Sequence, residues 1–446
     1  MFALDSIDLL LLPVYIVLVY FIASRIKSRH AGDPIYQRYY MRGLNYKILG
    51  TVGFALIYLL YYKGGDSINY FLASRPLYDF AFQYPDRYAE FITNPLSAYP
   101  SECWYGAWAQ GVDYLLRSNT TLMVIRFTSV ANLLCFNSYI CCCVIFSFAS
   151  YYFIFKTYRL FVAIHPVLER EFSIAFLMIP SAIFWGSGVG KDAIMFSLIM
   201  YFFYCFYRLV ILKQGILSNF FKLIFIAYLI SLIRGFVIIT IAPCLILMAA
   251  VYYRNAFRNP AVRFIALPIF LAGGLGASYL FIQQIGHQMQ SYSLDSMQKT
   301  AEGFHSWHTT LGETQGGSFY SLGNDVDYST GGVLRKAPLA ISIALFGPFI
   351  WQIRNPVMFL SGMESLAFLY FFFKVFMNAR AYRALNVIFR DHLIMFCIPF
   401  ILIIALAVGM TSFNYGALVR YKIPLLPFFA ALIALTRYRI STGTSD

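Results

Sequence analysis

An aspartate behind two glycines, at the end of a long apolar run, is the residue in this chain best placed to do chemistry. In Tyr61-Tyr62-Lys63-Gly64-Gly65-Asp66-Ser67 the apolar stretch Ile48 to Tyr62 gives way to polar sequence. The glycines let the backbone turn sharply, so a carboxylate here is held just outside the apolar layer, where it can meet lipid-borne molecules. The plain alternative is that Asp66 is simply the first solvated residue after a span. Two further stretches bear on that choice. Gly186-Ser187-Gly188-Val189-Gly190-Lys191-Asp192 sets a cation and an acid side by side between two apolar runs. Backbone N–H groups beside a lysine suit a phosphate or another anionic headgroup. The stretch is not a nucleotide phosphate loop, because the first glycine of that pattern is missing, Asp192 stands where Ser or Thr is needed, and no strand precedes it. A flexible hairpin with an ordinary exposed ion pair is the competing reading. Arg420-Tyr421-Lys422-Ile423-Pro424-Leu425-Leu426-Pro427-Phe428 opens the last apolar run. An arginine there offers phosphate a bidentate fork that lysine lacks, and snorkelling is its plain alternative. Arg234 and Arg126 make the same argument more weakly. His305, Trp307 and His308 form a pair of histidines with an aromatic between them. Without a carboxylate cage they read better as a sugar-facing or ordinary surface loop than as a metal site.

The elements that must position these residues are membrane helices. Of the 446 residues 60% are hydrophobic and only 12% charged, and the mean hydropathy is +0.66. No soluble core could hold so much apolar sequence. A span needs roughly 20 apolar residues, and about eleven such stretches can be counted, so the expected class is an all-α polytopic membrane protein. The net charge of +14 does not point to nucleic acid, because Lys and Arg cluster in short joints between apolar runs instead of forming one basic face. The eight cysteines lie mainly inside apolar runs without CxxC or metal spacing, and are expected as packing residues. The run Ile7 to Ser24 reads as a retained span, not a cleaved leader. Tyr and Phe enrichment reads as interfacial belts.

Basic residues orient the chain. Arg25, Lys27, Arg29, Arg38, Arg42 and Lys47 follow the first span and place that joint in the cytoplasm, with the N-terminus outside. The second span, Ile48 to Tyr62, then delivers Asp66 to the outer face. Residues 63–138 are expected as an external segment carrying short amphipathic surface helices, with a break at Asn137-Ser138 before a span that starts near Tyr139. Phe172 to Trp185, Ala193 to Leu212, Phe220 to Ile233, Phe236 to Tyr253 and Val262 to Ile285 are expected to cross in turn. Residues 286–336 form a second external loop. A cytoplasmic C-terminus requires Ala337 to Ile353 to be re-entrant, broken at Gly347-Pro348. Val357 to Phe376, His392 to Val408 and Ala417 to Leu435 complete the count. Apart from Lys374, near the end of one of these runs, charges are expected only at the membrane faces.

This layout resembles the membrane-integral glycosyltransferases of the GT-C fold, which use polyprenyl-phosphate sugars. The likeness rests on Asp66 in a long external loop, a second outer acid at Asp192, and the late RYxxPxxPF-like stretch Arg420, Tyr421, Pro424, Pro427 and Phe428. Residues 48–336 correspond to the GT-C-like module, 1–47 to an extra N-terminal helix with its basic joint, and 337–446 to a variable helical end. The chain departs from the pattern in that extra helix, and in Asp66-Ser67 where the family often has Asp-Glu. The resemblance implies an inverting transferase on the outer face of a bacterial inner membrane. Asp66 would be its general base and Asp192 would assist it or place the acceptor. Lys191, Arg234, Arg420 and Tyr421 would hold the lipid phosphate, and His305, Trp307 and His308 would lie in a lid. The implied partners are a polyprenyl-phosphate-linked sugar, a lipid or glycan acceptor and membrane lipid, with no nucleic acid. No cofactor is implied with certainty, and a divalent cation stays open. The alternatives are a polysaccharide polymerase or ligase, or a transporter of lipid-linked glycans.

Overall fold

The computed structural model describes residues 6–254, 276, 303, 320, 322, 330–354, 356–377 and 391–442. The fold is an all-α polytopic membrane protein. Among the described residues eight helices are long and apolar enough to cross a membrane, or nine if one bent pair counts as a span. The expected run Val262 to Ile285, most of the loop 286–336 and the arginines at 380, 383 and 390 lie outside the described residues.

The first half contains α1 (Ser6–Arg29), α2 (Tyr36–Tyr62), α3 (Asp66–Ser74), α4 (Pro76–Gln83), α5 (Pro85–Thr93), α6 (Trp104–Ala109), α7 (Asn119–Leu134) and α8 (Tyr139–Ile164). The expected break between α7 and α8 falls at Cys135 to Ser138, where Phe136 and Asn137 take positive φ and Ser138 caps α8 through the Cys141 amide. Then come α9 (Glu169–Leu177), α10 (Pro180–Trp185), α11 (Lys191–Ile211), α12 (Ile216–Arg234) and α13 (Phe236–Tyr253). Later in the chain lie α14 (Thr330–Phe346), α15 (Pro356–Met377), α16 (His392–Thr411), α17 (Tyr415–Tyr421) and α18 (Leu426–Thr442). α17 and α18 meet at a bend of 67°.

Three expectations change. Phe172 to Trp185 does not form one helix, because Pro180 lacks an N–H and pushes Ile179 to extended backbone, dividing the run into α9 and α10. Lys47 does not belong to a solvated joint. α2 begins at Tyr36, and Gly43, Leu44, Lys47, Ile48, Thr51, Phe54 and Ala55 recur on one buried face at three- and four-residue spacing. Nor are the aromatics confined to interfacial belts. Phe428 on α18 packs its ring against Phe161, Phe176, Phe203, Phe396 and Phe400, all buried, with centroids 5.1 to 6.2 Å apart. That cluster joins α8, α9, α11, α16 and α18 at the centre of the bundle, where edge-on and tilted ring pairs favour one arrangement. The eight cysteines are buried thiols, as their apolar setting suggests.

Candidate functional site

Four elements bring charged residues together at the end of the bundle where α2 ends and α11 begins. Lys63 and Gly65 take positive φ (52° and 99°), so the chain reverses after α2 and α3 begins at Asp66. Gly186 to Gly190 makes the equivalent turn between α10 and α11. Gly188 has φ +76° and packs so closely on Phe54 that a Cβ would overlap the ring, and its amide donates to Ser147 Oγ at 3.1 Å. The turn therefore delivers Lys191 and Asp192 in a fixed arrangement. Arg234 is the last residue of α12, and Arg420 comes from the final turn of α17.

These charges form one network. Arg420 Nη2 donates to Asp66 Oδ2 at 2.9 Å, across 354 residues of sequence, and its Nε donates to Asp192 Oδ2 at 3.0 Å. Arg234 Nη2 donates to Asp192 Oδ1 at 2.7 Å. Both Asp192 oxygens are thus engaged by guanidinium groups, and the side chain is 7% exposed, whereas Asp66 is 51% exposed. Lys191 does not pair with its neighbour Asp192. It donates to the hydroxyls of Thr120 at 3.2 Å and Thr121 at 3.0 Å, and makes no ion pair among the described residues. Three cations against two carboxylates leave the cluster with one positive charge, which favours an anionic ligand. The Arg234 guanidinium lies 4.8 Å from the Tyr421 ring centroid, and that of Arg420 lies 5.6 Å from Trp185. Such ring contacts help to orient each guanidinium and use none of its N–H groups, so those not bonded to carboxylate stay open to a ligand. Tyr70, buried beneath Asp66 on α3, has its hydroxyl pKa raised, first by burial and then by the nearby carboxylates, so it stays protonated.

No known protein family, curated protein or solved structure matches this chain. The site must therefore be judged on its own chemistry.

Of the residues singled out in the sequence, Asp66, Asp192, Arg234, Arg420 and Tyr421 meet directly, with Lys191 beside them. His305, Trp307 and His308 lie outside the described residues. Arg126 is not available to a ligand. It is 2% exposed and donates to the carbonyls of Phe91 at 2.7 Å, Asn94 at 3.2 Å and Ser97 at 2.6 Å, so it holds the chain after α5. Sequence reasoning missed Trp185, Thr120 and Thr121, whose neutral side chains carry no signal of their own. It also missed three charges inside the bundle. Lys47 is buried and donates to the Gly186 carbonyl. Lys422 is buried and donates to the Gly347 carbonyl at 2.8 Å. Glu364 on α15 accepts from the Ser181 amide at 2.7 Å. Charges are therefore not confined to the membrane faces, contrary to expectation.

The two carboxylates also bear on a divalent cation. Arg420 lies between Asp66 and Asp192 and bonds to both, so the place a metal would bridge is filled by a guanidinium. No group of three metal-ligating side chains occurs among the described residues. These residues do not fit a bridging cation.

Proposed function

We propose that this protein is a membrane glycosyltransferase of the GT-C type, which takes a sugar from a polyprenyl-phosphate donor and passes it to an acceptor hydroxyl. The observation that carries this reading is the exposed Asp66 carboxylate held 2.9 Å from Arg420, within a cluster of net positive charge at one end of a membrane bundle. Lys191, Arg234 and Arg420 bind the lipid phosphate. Asp66 removes the proton of the acceptor hydroxyl as its oxygen attacks the anomeric carbon. The bond from that carbon to the phosphate oxygen breaks, and the electron pair leaves with polyprenyl phosphate, a stable anion that needs no acid. The guanidinium groups stabilise charge growing on that oxygen. A single displacement inverts the anomeric centre. Asp192, with both oxygens engaged, holds the two arginines apart and aimed, a positioning part within the assisting role the resemblance implies. The site faces the outer side of a bacterial inner membrane in this reading. The resemblance supports that placement, as does the concentration of basic residues near the opposite end of α1 and α2.

Transport of a lipid-linked glycan is the second reading, and the buried Lys47 and Lys422 with the half-buried Glu364 favour it. A panel of polyprenyl-phosphate sugars offered to the purified protein separates the two. Under the transferase reading the native chain releases polyprenyl phosphate, Asp66→Asn binds donor without turnover, and Arg420→Ala loses binding. Full activity in Asp66→Asn, or no binding of any donor, would overturn it. Donor binding by a native chain that never cleaves it would favour transport.

A further inference from the structure

α10 is a six-residue helix inside the bundle, and side chains from two other helices close both its ends. At its start, Glu364 Oε2 on α15 accepts from the Ser181 amide at 2.7 Å. At its end, the buried ammonium of Lys47 on α2 donates to the carbonyl of Gly186. Pro180 and the break at Ile179 cut α10 off from α9, so its backbone groups at that end have no helical partner in the preceding turn. α10 ends in Trp185, whose ring lies against the Arg420 guanidinium, and the turn that follows leads into Lys191 and Asp192.

The next residue on α15 serves the other side of the same site. Ser365 Oγ donates to the Gly347 carbonyl at 2.8 Å, and Lys422 Nζ donates to that same carbonyl at 2.8 Å and to Ser365 Oγ at 3.3 Å. Lys422 follows Arg420 by two residues at the end of α17. α15 is therefore a common strut. Through Glu364 it fixes the segment that carries Trp185 and Asp192, and through Ser365 and Lys422 it fixes the turn that carries Arg420. Ionised groups at such depth are costly, and neutral donors and acceptors could in principle meet the same backbone atoms. What the charged forms add is a stronger bond to a single peptide group at each end, which suits a short helix with few contacts of its own.

We propose that Glu364 and Lys47 are positioning residues, which clamp α10 at both ends and so hold Trp185 and Asp192 against Arg420. Neither side chain touches the charge cluster. They act on it through the backbone of residues 181–186 and the glycine turn beyond. The proposal concerns where α10 is held, and it stands or falls independently of whether the cluster transfers a sugar.

The test uses a thiol reporter. Ser187 is 1% exposed and lies two residues past the end of α10, and all eight native cysteines are buried, so background labelling is low. In Ser187→Cys protein, reaction with a membrane-permeant maleimide is expected to be slow. Adding Glu364→Leu or Lys47→Met removes one clamp and is expected to raise the labelling rate at position 187 about tenfold or more, through local opening. Glu364→Gln keeps an acceptor for the Ser181 amide and is expected to stay within about twofold of the parent rate. Parental rates in both Glu364→Leu and Lys47→Met would overturn the proposal. So would labelling that spreads to the native cysteines, since that reports general loss of fold, not release of α10. Polyprenyl phosphate affinity, measured on the same proteins, should fall about tenfold in Glu364→Leu and recover in Glu364→Gln. If the native protein binds no polyprenyl phosphate, the transferase reading fails while the thiol result still decides this one.

Discussion

Arg420 donates to Asp66 and to Asp192, yet the two carboxylates sit in different surroundings. Asp66 has one arginine partner and half of its side chain open, so it can meet an acceptor and give up its ion pair at small cost. Asp192 is 7% exposed and has two arginine partners. Removing it leaves Arg234 without its carboxylate partner and Arg420 with Asp66 alone, while the two guanidinium groups still repel each other. Asp192→Ala is therefore expected to lower stability by about 3–5 kcal/mol, the usual cost of breaking a buried pair from one side. Asp66→Asn should change it by less than about 1 kcal/mol, as for an exposed pair. Chemical unfolding of the purified protein in one detergent measures both, and similar losses for the two variants would show that the burial difference does not govern their roles. The ammonium of Lys191, hydrogen-bonded to two hydroxyls but in no ion pair among the described residues, is the third decisive feature at this scale, because it gives the cluster its excess positive charge.

Short helices between the long ones do much of the positioning. The segment 63–138 is filled by α3 to α7, and one buried arginine organises its middle. Arg126 on α7 bonds to three carbonyls spread over Phe91 to Ser97, and its guanidinium lies 4.4 Å from the Phe91 ring centroid. Those carbonyls lie at the end of α5 and in the irregular chain that follows it, so without Arg126 each loses a charged donor, and those of Phe91 and Asn94 keep only donors from Ser97. Arg126→Ala is expected to speed proteolysis between residues 94 and 103 by at least about tenfold while leaving the long helices folded. An unchanged cleavage pattern would mean that the neighbouring contacts of α5 suffice. α9 and α10 show the same principle in the other half of the chain, where a proline divides what hydropathy reads as one span and frees a six-residue piece to serve the site.

At the scale of the molecule, the bundle is tied at both ends by ionic contacts from distant parts of the chain. Opposite the Asp66 cluster, Asp391 caps α16 through the amides of Leu393 and Ile394 and receives Nε and Nη2 of Arg439 at 3.0 and 2.9 Å. His165, at the end of α8, has Nε2 3.9 Å from Asp391 Oδ2 and without a hydrogen-bond partner among the described residues. Arg439, His392 and Tyr438 also neighbour it. Burial lowers the His165 pKa below 6.5, outweighing Asp391, which raises it. The folded protein therefore binds a proton here less readily than the unfolded chain does. The neutral ring contributes stability that is fully present above about pH 6.5 and is lost as pH falls through the folded-state pKa. Melting temperatures taken from pH 7.5 downward should fall less steeply in His165→Phe than in the native protein. Parallel curves would show that this histidine is not buried in its neutral form.

Hydropathy and the placement of charges were enough to read the membrane class, the helical fold, the break before Tyr139 and six of the residues in or beside the charge cluster. Charged residues are only 12% of the chain, so each one at the end of an apolar run stands out. The number of spans was less legible, because a run such as Phe172 to Trp185 is apolar enough to cross yet carries a proline that divides it. Lys47 was misplaced because its position near other basic residues resembles a cytoplasmic joint, while only packing reveals that its helix face points inward. Which acid is open and which is enclosed could not be read from sequence, and neither could the pairing of Arg420 with both. Those depend on which helix ends meet, and residues 66, 192, 234 and 420 become neighbours only when the bundle closes. One-dimensional pattern reports what each segment must hide from water or lipid. Only the folded bundle decides which charges share the space that remains.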